Sequence, residues 1–220
     1  MSATFQPFGL KPAFHPSGLD RSTPFAGTNS YTIGTPGYSA NYSLSSGQAF
    51  YQFTPVAVNS SGALTLAGAS GTRLIGSFDG VEFTDSQGRR SVAKWASVTT
   101  LDASTEIIFW LFTDPQLVYE IQAVGTIANT AIGKEFDFSA AAGYSVTGGT
   151  SIGNGGAGFS TTAIANTAVT AGTGQGQVKC VGLGREVAYP TGELNAWGDT
   201  NTIIQVQIAN SQLVAPSVSA

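Results

Sequence analysis

Two glycine-containing motifs have spacings that are associated with catalysis or cofactor binding. Residues 149–153 (GTSIG) match the G-x-S-x-G pattern of a serine nucleophile, a chemistry that requires a histidine base later in the chain. The single histidine, His15, lies near the start of the chain. Residues 153–158 (GNGGAG) match G-x-G-x-x-G, but they lie in a glycine-rich tract with no helical pattern after them. The sequence therefore predicts neither a serine hydrolase nor a dinucleotide site, and no enzyme.

Metal-ligating residue types are few. His15 and Cys180 cannot supply the roughly four ligands of a zinc site. Asp79, Glu82 and Asp85 are a conceivable oxygen-ligand set for Ca²⁺ or Mg²⁺, although carboxylates on a hairpin usually face water. We therefore expect no cofactor. With a single cysteine the chain has no intrachain disulfide, and the apolar surroundings of Cys180 predict a buried thiol.

The composition is unusually poor in charge. Only 10% of the residues are charged, against about 25% in typical domains, and 28 are glycine. Such a chain has little of the Lys and Glu that normally protects free sheet edges, so we infer that neighbouring molecules cover much of its surface. A monomer that tolerates low charge is the alternative. The net charge is -4, with no basic run beyond Arg89 and Arg90, so direct nucleic-acid binding is not expected.

No segment has the pattern of a membrane span or a secretion signal. The longest apolar run, residues 107–112, is far shorter than the ~20 residues that cross a bilayer. The first 18 residues have no charged-then-apolar signal pattern. We expect a protein that does not bind membranes and that is made in a cytoplasm.

Residues 1–24 form a proline-stiffened segment that the sequence predicts to be an extended arm. Its prolines forbid a regular helix, and apolar side chains alternate with them. These side chains are Phe5, Phe8, Leu10 and Phe14. A merely disordered tail would be poor in aromatic residues. Such an arm suits a groove on another subunit, or it packs on its own domain.

Residues 25–210 read as one β domain. Turn residues 84–88 join two strands into a hairpin, and residues 105–113 (TEIIFWLFT) predict a strand that is buried on both faces. Further strands are predicted over 117–124, 177–183 and 202–208, with a Gly-rich excursion over 139–176 and a polar tail over 211–220. The sum predicts an all-β fold, an antiparallel β-barrel or sandwich with an extended N-terminal arm and a long Gly/Ser/Thr-rich loop. Core packing is the expected role of Trp95, Trp110 and Trp197, with stacking on sugars as the alternative.

Four segments together resemble the capsid decoration, or cement, proteins of tailed bacteriophages. The segment PFGLKPAFHPSG is similar to the Pro-Phe-Gly-Leu-x-Pro opening of that family. The hairpin FDGVEFTDSQGRRSVAKW resembles its most distinctive pattern, with Phe83 in place of a tyrosine. The segments TDPQLVYEIQA and NAWGDTNTIIQVQIAN resemble later strands, with Trp197 in an aromatic position.

The resemblance implies a structural protein on the outer surface of the virion capsid, with no catalytic residues. Its partners would be the major capsid protein and sister copies, most often in a trimer. Candidate contact residues are Phe5, Phe8, Leu10, Phe14, His15, Arg89 and Arg90. The two arginines either pair with acidic groups on a neighbour or belong to a solvated hairpin. The expectation is that deleting residues 1–18 leaves a folded domain that no longer binds shells. A head-fibre or receptor- or glycan-binding protein of the virion surface is the alternative function.

Overall fold

Fifteen short strands are the main regular elements in the part of the chain that the structure describes. The computed structural model describes residues 7–18, 23–25, 41–68, 71–139, 160, 162–170, 174–185 and 194–214. A short helix α1 (Val98–Asp102) and one turn of 3-10 helix (Asn129–Ala131) accompany the strands. In chain order the strands are β1 (Lys11–Phe14), β2 (Thr23–Phe25), β3 (Tyr42–Ser43), β4 (Ala49–Tyr51), β5 (Pro55–Val58), β6 (Leu64–Leu66), β7 (Gly76–Thr84), β8 (Arg90–Ala93), β9 (Trp95–Ser97), β10 (Thr105–Phe112), β11 (Val118–Val124), β12 (Glu135–Phe136), β13 (Ile164–Ala165), β14 (Val178–Leu183) and β15 (Ile203–Ile208).

The strands form two large sheets and one small one. The six-stranded sheet has the order β1-β11-β15-β14-β12, with β13 also paired to β11. The seven-stranded sheet has the order β2-β10-β7-β5-β6-β3, with β8 also paired to β7, and β4 pairs with β9. All pairs are antiparallel except β11 with β13 and β3 with β6. The predicted all-β antiparallel fold is confirmed in a form consistent with a sandwich. The barrel alternative is wrong, since neither large sheet closes on itself in the part of the chain that the structure describes.

Each large sheet has its own apolar core. The first core lies on the six-stranded sheet and includes Tyr119, Ile121, Phe136, Val206 and the buried Cys180, whose predicted burial is confirmed. The second core lies on the seven-stranded sheet, where Phe50, Phe78 and Phe109 pack with ring centroids 5.2–6.2 Å apart. Burial of these side chains is the main favourable term in folding.

Polar contacts hold the segment that follows β15 to strand β5 and to the loop before β7. The side chain of Gln212 donates to Val58 O and accepts from Val58 N, both at 2.7 Å. Arg73 donates to the carbonyl of Ser211 at 2.6 Å and to that of Val214 at 2.8 Å. Residues 211–214 of the predicted polar tail are therefore held to the domain by these hydrogen bonds.

The described residues of the N-terminal segment pack on the β domain, which was the stated alternative to an arm in a groove on another subunit. Strand β1 pairs with β11, and Leu10 is wholly buried in the first core. Leu10 N donates to Phe53 O at 2.8 Å, and Ser77 Oγ donates to Leu10 O at 2.7 Å. Gly9 has a φ of +80°, and a Cβ there would lie 2.3 Å from Phe53 O, so this close approach requires glycine. Farther along, β2 pairs with β10. Residues 1–6 lie outside the described part of the chain.

Strand β10 is buried on one face only. Ile107, Phe109 and Leu111 are in the second core, whereas the alternating residues Ile108 and Trp110 are half-buried. The prediction of two buried faces was wrong because an unbroken apolar run shows that both faces are apolar, not that both are covered. Of the predicted Gly-rich excursion over residues 139–176, the structure describes a short strand, β13, beside β11.

The burial of Leu10 gives a testable prediction for stability. Leu10→Ala should lower the free energy of unfolding by about 2–5 kcal/mol, because a wholly buried leucine leaves a cavity. Urea denaturation measures this change. Phe14→Ala is the matched control: Phe14 is 41% exposed, so the loss should stay below about 1 kcal/mol. Equal, small effects of the two substitutions would mean that the segment is a detached arm after all.

Candidate interaction surface

Local chemistry fixes the turn between β7 and β8. Asp85 Oδ1 accepts the backbone N–H groups of Gln87 and Arg89, both at 2.9 Å, and Gly88 has a φ of +76°. The backbone N–H of Arg89 is the largest of the causes that lower the pKa of the Asp85 carboxyl, and the Arg89 guanidinium and the Gln87 N–H act in the same direction. The turn that the sequence predicted over residues 84–88 is confirmed.

The two arginines of the hairpin have different roles. Arg89 is exposed, and among the described residues its guanidinium pairs with Asp85 Oδ2 alone, at 2.9 Å, an exposed pair that contributes little to stability. Arg90 lies between three strands: its Nε is 2.8 Å from Glu82 Oε1, and its Nη1 donates to Glu106 O at 3.1 Å. Arg90 therefore joins β8, β7 and β10 within this chain, and Arg89 is the more accessible of the two.

Strand β8 has a free edge. It pairs with β7 alone in the described residues. Asp85 N donates to Arg89 O at 2.9 Å, so Asp85 and Arg89 are a hydrogen-bonded pair. Hydrogen-bonded pairs alternate along an antiparallel ladder with pairs that have no mutual hydrogen bonds, and Thr84–Arg90 and Glu82–Val92 are of this second kind. The main-chain N–H and C=O groups of Arg90 and Val92 thus point away from β7. Val92 is also 73% exposed. An unpaired edge with an exposed apolar side chain is a template for contact with another chain.

The N-terminal candidates occupy a different sheet. Phe14 ends β1 and is 41% exposed. His15 is buried: its Nδ1 accepts from Ser17 N at 3.0 Å, and its Nε2 lies 3.0 Å from Asp114 Oδ2 without hydrogen-bond alignment. His15 thus orders its own turn, and its buried side chain offers little surface to a neighbour. The same holds for the wholly buried Leu10, and a contact role for either residue stays a prediction.

Phe8 and Phe5 complete the predicted set. Phe8 is half-buried, with Lys11 Nζ 5.7 Å from the centre of its ring. Phe5 lies outside the described residues. The exposed members of the set are therefore Phe14 on the six-stranded sheet and Arg89 and Arg90 on the hairpin of the seven-stranded sheet. The described contacts do not bring Phe14 together with the two arginines.

Two surface residues were missed by the sequence reasoning. Trp95 was assigned to the core, but it is 49% exposed and its ring lies nearly parallel to that of Tyr51, at 13° with centroids 6.2 Å apart. Val92 was not singled out. The alternation of Arg90, Val92 and Lys94 along one strand was the available signal, because alternate residues share a face. Trp110 is half-buried, and Trp197 is partly buried against the first core.

The three carboxylates considered as metal ligands do not converge. Asp79 Oδ1 is 2.8 Å from Lys94 Nζ, whereas Glu82 contacts Arg90 and Asp85 contacts Arg89. Within the described ranges no three His, Cys, Asp or Glu side chains are grouped as a metal site would require. The motifs at residues 149–158 lie outside those ranges.

Comparison with protein-family models, with curated proteins and with solved structures finds no match to this chain. Across the part of the chain that the structure describes, no helix has the length and apolar character needed to span a membrane. The family resemblance therefore rests on the sequence segments alone.

The lowered pKa of Asp85 predicts how the turn responds to acid. A carboxyl whose pKa is lower in the folded chain stabilises the turn above its unfolded pKa, and this contribution is lost as the pH falls through the folded pKa, which for Asp85 lies below the ordinary carboxyl value. NMR titration of the Gln87 and Arg89 amide shifts should give a midpoint below the ordinary carboxyl value. Asp85→Asn keeps an Oδ1 acceptor and should abolish the titration. A midpoint at or above the ordinary value in the unsubstituted protein would contradict this account of the turn.

Proposed function

We propose that this chain is a decoration (cement) protein of a tailed-phage capsid, which binds the outer surface of the head and stabilises contacts between major capsid subunits. One coincidence carries the proposal. The segment with the most distinctive resemblance, FDGVEFTDSQGRRSVAKW, is also the hairpin that has the free edge of β8, the exposed Val92 and the exposed Arg89. The segment that most resembles the decoration proteins is thus one whose edge and side chains are exposed to contact with another protein chain.

The physical role would be to add buried area across joints in the shell. DNA packed in a capsid pushes the shell outward, and a protein that spans neighbouring subunits opposes their separation. A specific interface of standard size buries about 1,600 Å². Many copies act in parallel on one shell, so modest affinity at each site suffices. The low charge of the chain suits a surface that is largely covered after assembly. Sister copies, most often in a trimer, would share the site, and the proposal gives no residue a catalytic role.

A substitution at the free edge tests the proposal. Val92→Glu should reduce binding to expanded capsids at least on the order of tenfold, because it places a charge where the edge would be covered. Co-sedimentation with purified shells measures the bound fraction. Leu194→Glu is the matched control, since Leu194 is 76% exposed and lies outside the hairpin, and it should bind normally. If Val92→Glu also binds normally, the free edge of β8 does not contact the capsid, and the observation on which the proposal rests no longer supports it.

A short N-terminal deletion tests the contribution of Phe5 separately from folding. Removing residues 1–6 keeps Leu10 and β1, so the thermal midpoint should change by less than a few degrees. Shell binding should nevertheless weaken if the aromatic start of the chain anchors to the capsid. The deletion of residues 1–18 cannot give this answer, because it removes the paired strand β1 and the buried Leu10. Unchanged shell binding by the short deletion would remove the anchoring role.

A further inference from the structure

Strand β8 presents hydrogen-bonding main-chain groups at its outer edge. The N–H and C=O groups of Arg90 and Val92 point away from β7, as the alternation of pairs along the ladder requires. Ala93 faces the other way: a Cβ at Gly80 of β7 would lie 3.0 Å from Ala93 O, which places that carbonyl beside β7. In the described ranges no other strand lies against the outward groups, so each of them is open to a partner from outside.

A strand added at this edge would extend the existing sheet. Strands β5 and β8 occupy successive parts of one edge of β7, and β6 pairs with the outer side of β5. The position outside β8 is therefore in line with β6. Because β8 is four residues long and begins after the turn at residues 85–88, an extended segment of about the same length is sufficient to occupy that position.

The charged side chains around this edge are already paired within the chain. Three cations contact four carboxylates, so the edge has little net charge to offer a ligand. The pairs are Arg89 with Asp85, Arg90 with Glu82 and Glu106, and Lys94 with Asp79. A strand with a net charge of either sign would gain little attraction here, and it would lose hydration on approach. The edge therefore favours an uncharged segment over an acidic or a basic one.

The two faces of β8 define which side chains the added strand needs. Ser91 and Ala93 pair with Phe83 and Val81, which belong to the second core, so this face of β8 is turned toward the core. Val92 lies on the opposite face and is 73% exposed. An apolar side chain beside Val92 on the added strand would remove this surface from water. The matching ligand is thus an extended, uncharged segment with an apolar residue next to Val92.

We infer that β8 binds its partner by strand addition, with an extended, uncharged segment of the capsid subunit as the added strand. The N–H and C=O groups of Arg90 and Val92 form main-chain hydrogen bonds with it, and Val92 packs on its apolar side chain. This pairing rests on the proposed cement function and specifies it further, because main-chain groups and not only exposed side chains would hold the shell. Such contacts tolerate sequence variation in the shell subunit, since every residue except proline has the same main-chain groups.

Val92→Pro tests strand addition, because proline has no N–H to donate to the added strand. The N–H of Val92 makes no bond to β7, so the substitution is of a kind that edge strands tolerate, and the thermal midpoint verifies the fold. Co-sedimentation of the full-length chain with expanded capsids should show binding weakened at least about tenfold. Val92→Ile is the matched control: it keeps the N–H and the β-branched apolar side chain, and it should bind as the unsubstituted protein does.

Hydrogen exchange gives a second measurement on the unsubstituted protein, which decides the question even where Val92→Pro does not fold. The amides of Arg90 and Val92 should exchange more slowly in the shell-bound protein than in the free protein. The amides of Ser91 and Ala93 already face β7 and should change little.

Strand addition is overturned if a folded Val92→Pro binds shells normally, or if the amides of Arg90 and Val92 gain no protection on the shell. Loss of binding by Val92→Glu together with normal binding by Val92→Pro would leave the cement function standing and exclude main-chain pairing. Normal binding by both variants would reject the pairing and the proposed capsid contact of this edge together.

Discussion

The antiparallel pairing of β7 with β10 is the contact on which the seven-stranded sheet depends. Strand β7 is nine residues long, and its other edge is divided between β5 at Gly76 and Ser77 and β8 at residues 81–84. A Cβ at Gly76 would lie 2.0 Å from Phe112 O, so the approach of the two chains requires glycine at that position. Because β5 and β8 occupy successive parts of one edge, β8 lies off the main order of the sheet, and its outer side has no strand partner in the part of the chain that the structure describes.

This chain has few charged residues, and many of those that the structure describes lie in or beside the hairpin of β7 and β8. Arg90 joins three strands through Glu82 and Glu106, and Lys94 holds Asp79. These pairs fix side chains that would otherwise sample many rotamers, so the exposed Val92 stands in an ordered surface. Such a surface loses less conformational entropy on contact with a partner than a flexible one does. A few ion pairs around the hairpin thus allow a weakly charged protein to present an ordered region for recognition.

Local patterns predicted the features that local chemistry determines. The turn at residues 84–88 followed from Asp85 and Gly88, and the strand positions followed from β-branched and aromatic runs. The placement of Leu10 did not follow, because prolines exclude a helix without saying whether the segment pairs with a strand more than a hundred residues away. The exposure of Trp95 was missed for a related reason. Residue type gives the preference for burial, but which face of a short strand is covered depends on distant elements.

The position of Gly9 and Leu10 between the two sheets also bears on how the protein is made. Gly9 N donates to Thr162 O at 3.2 Å, and β1 needs β11 as its partner. Residues 7–14 leave the ribosome well before β11 and Thr162, so their binding site is incomplete until residue 162 has emerged. This segment must therefore wait for its partners while the intervening chain is made. Closing so long a loop is slow, and the final locking of the domain is expected to be a late, post-translational event.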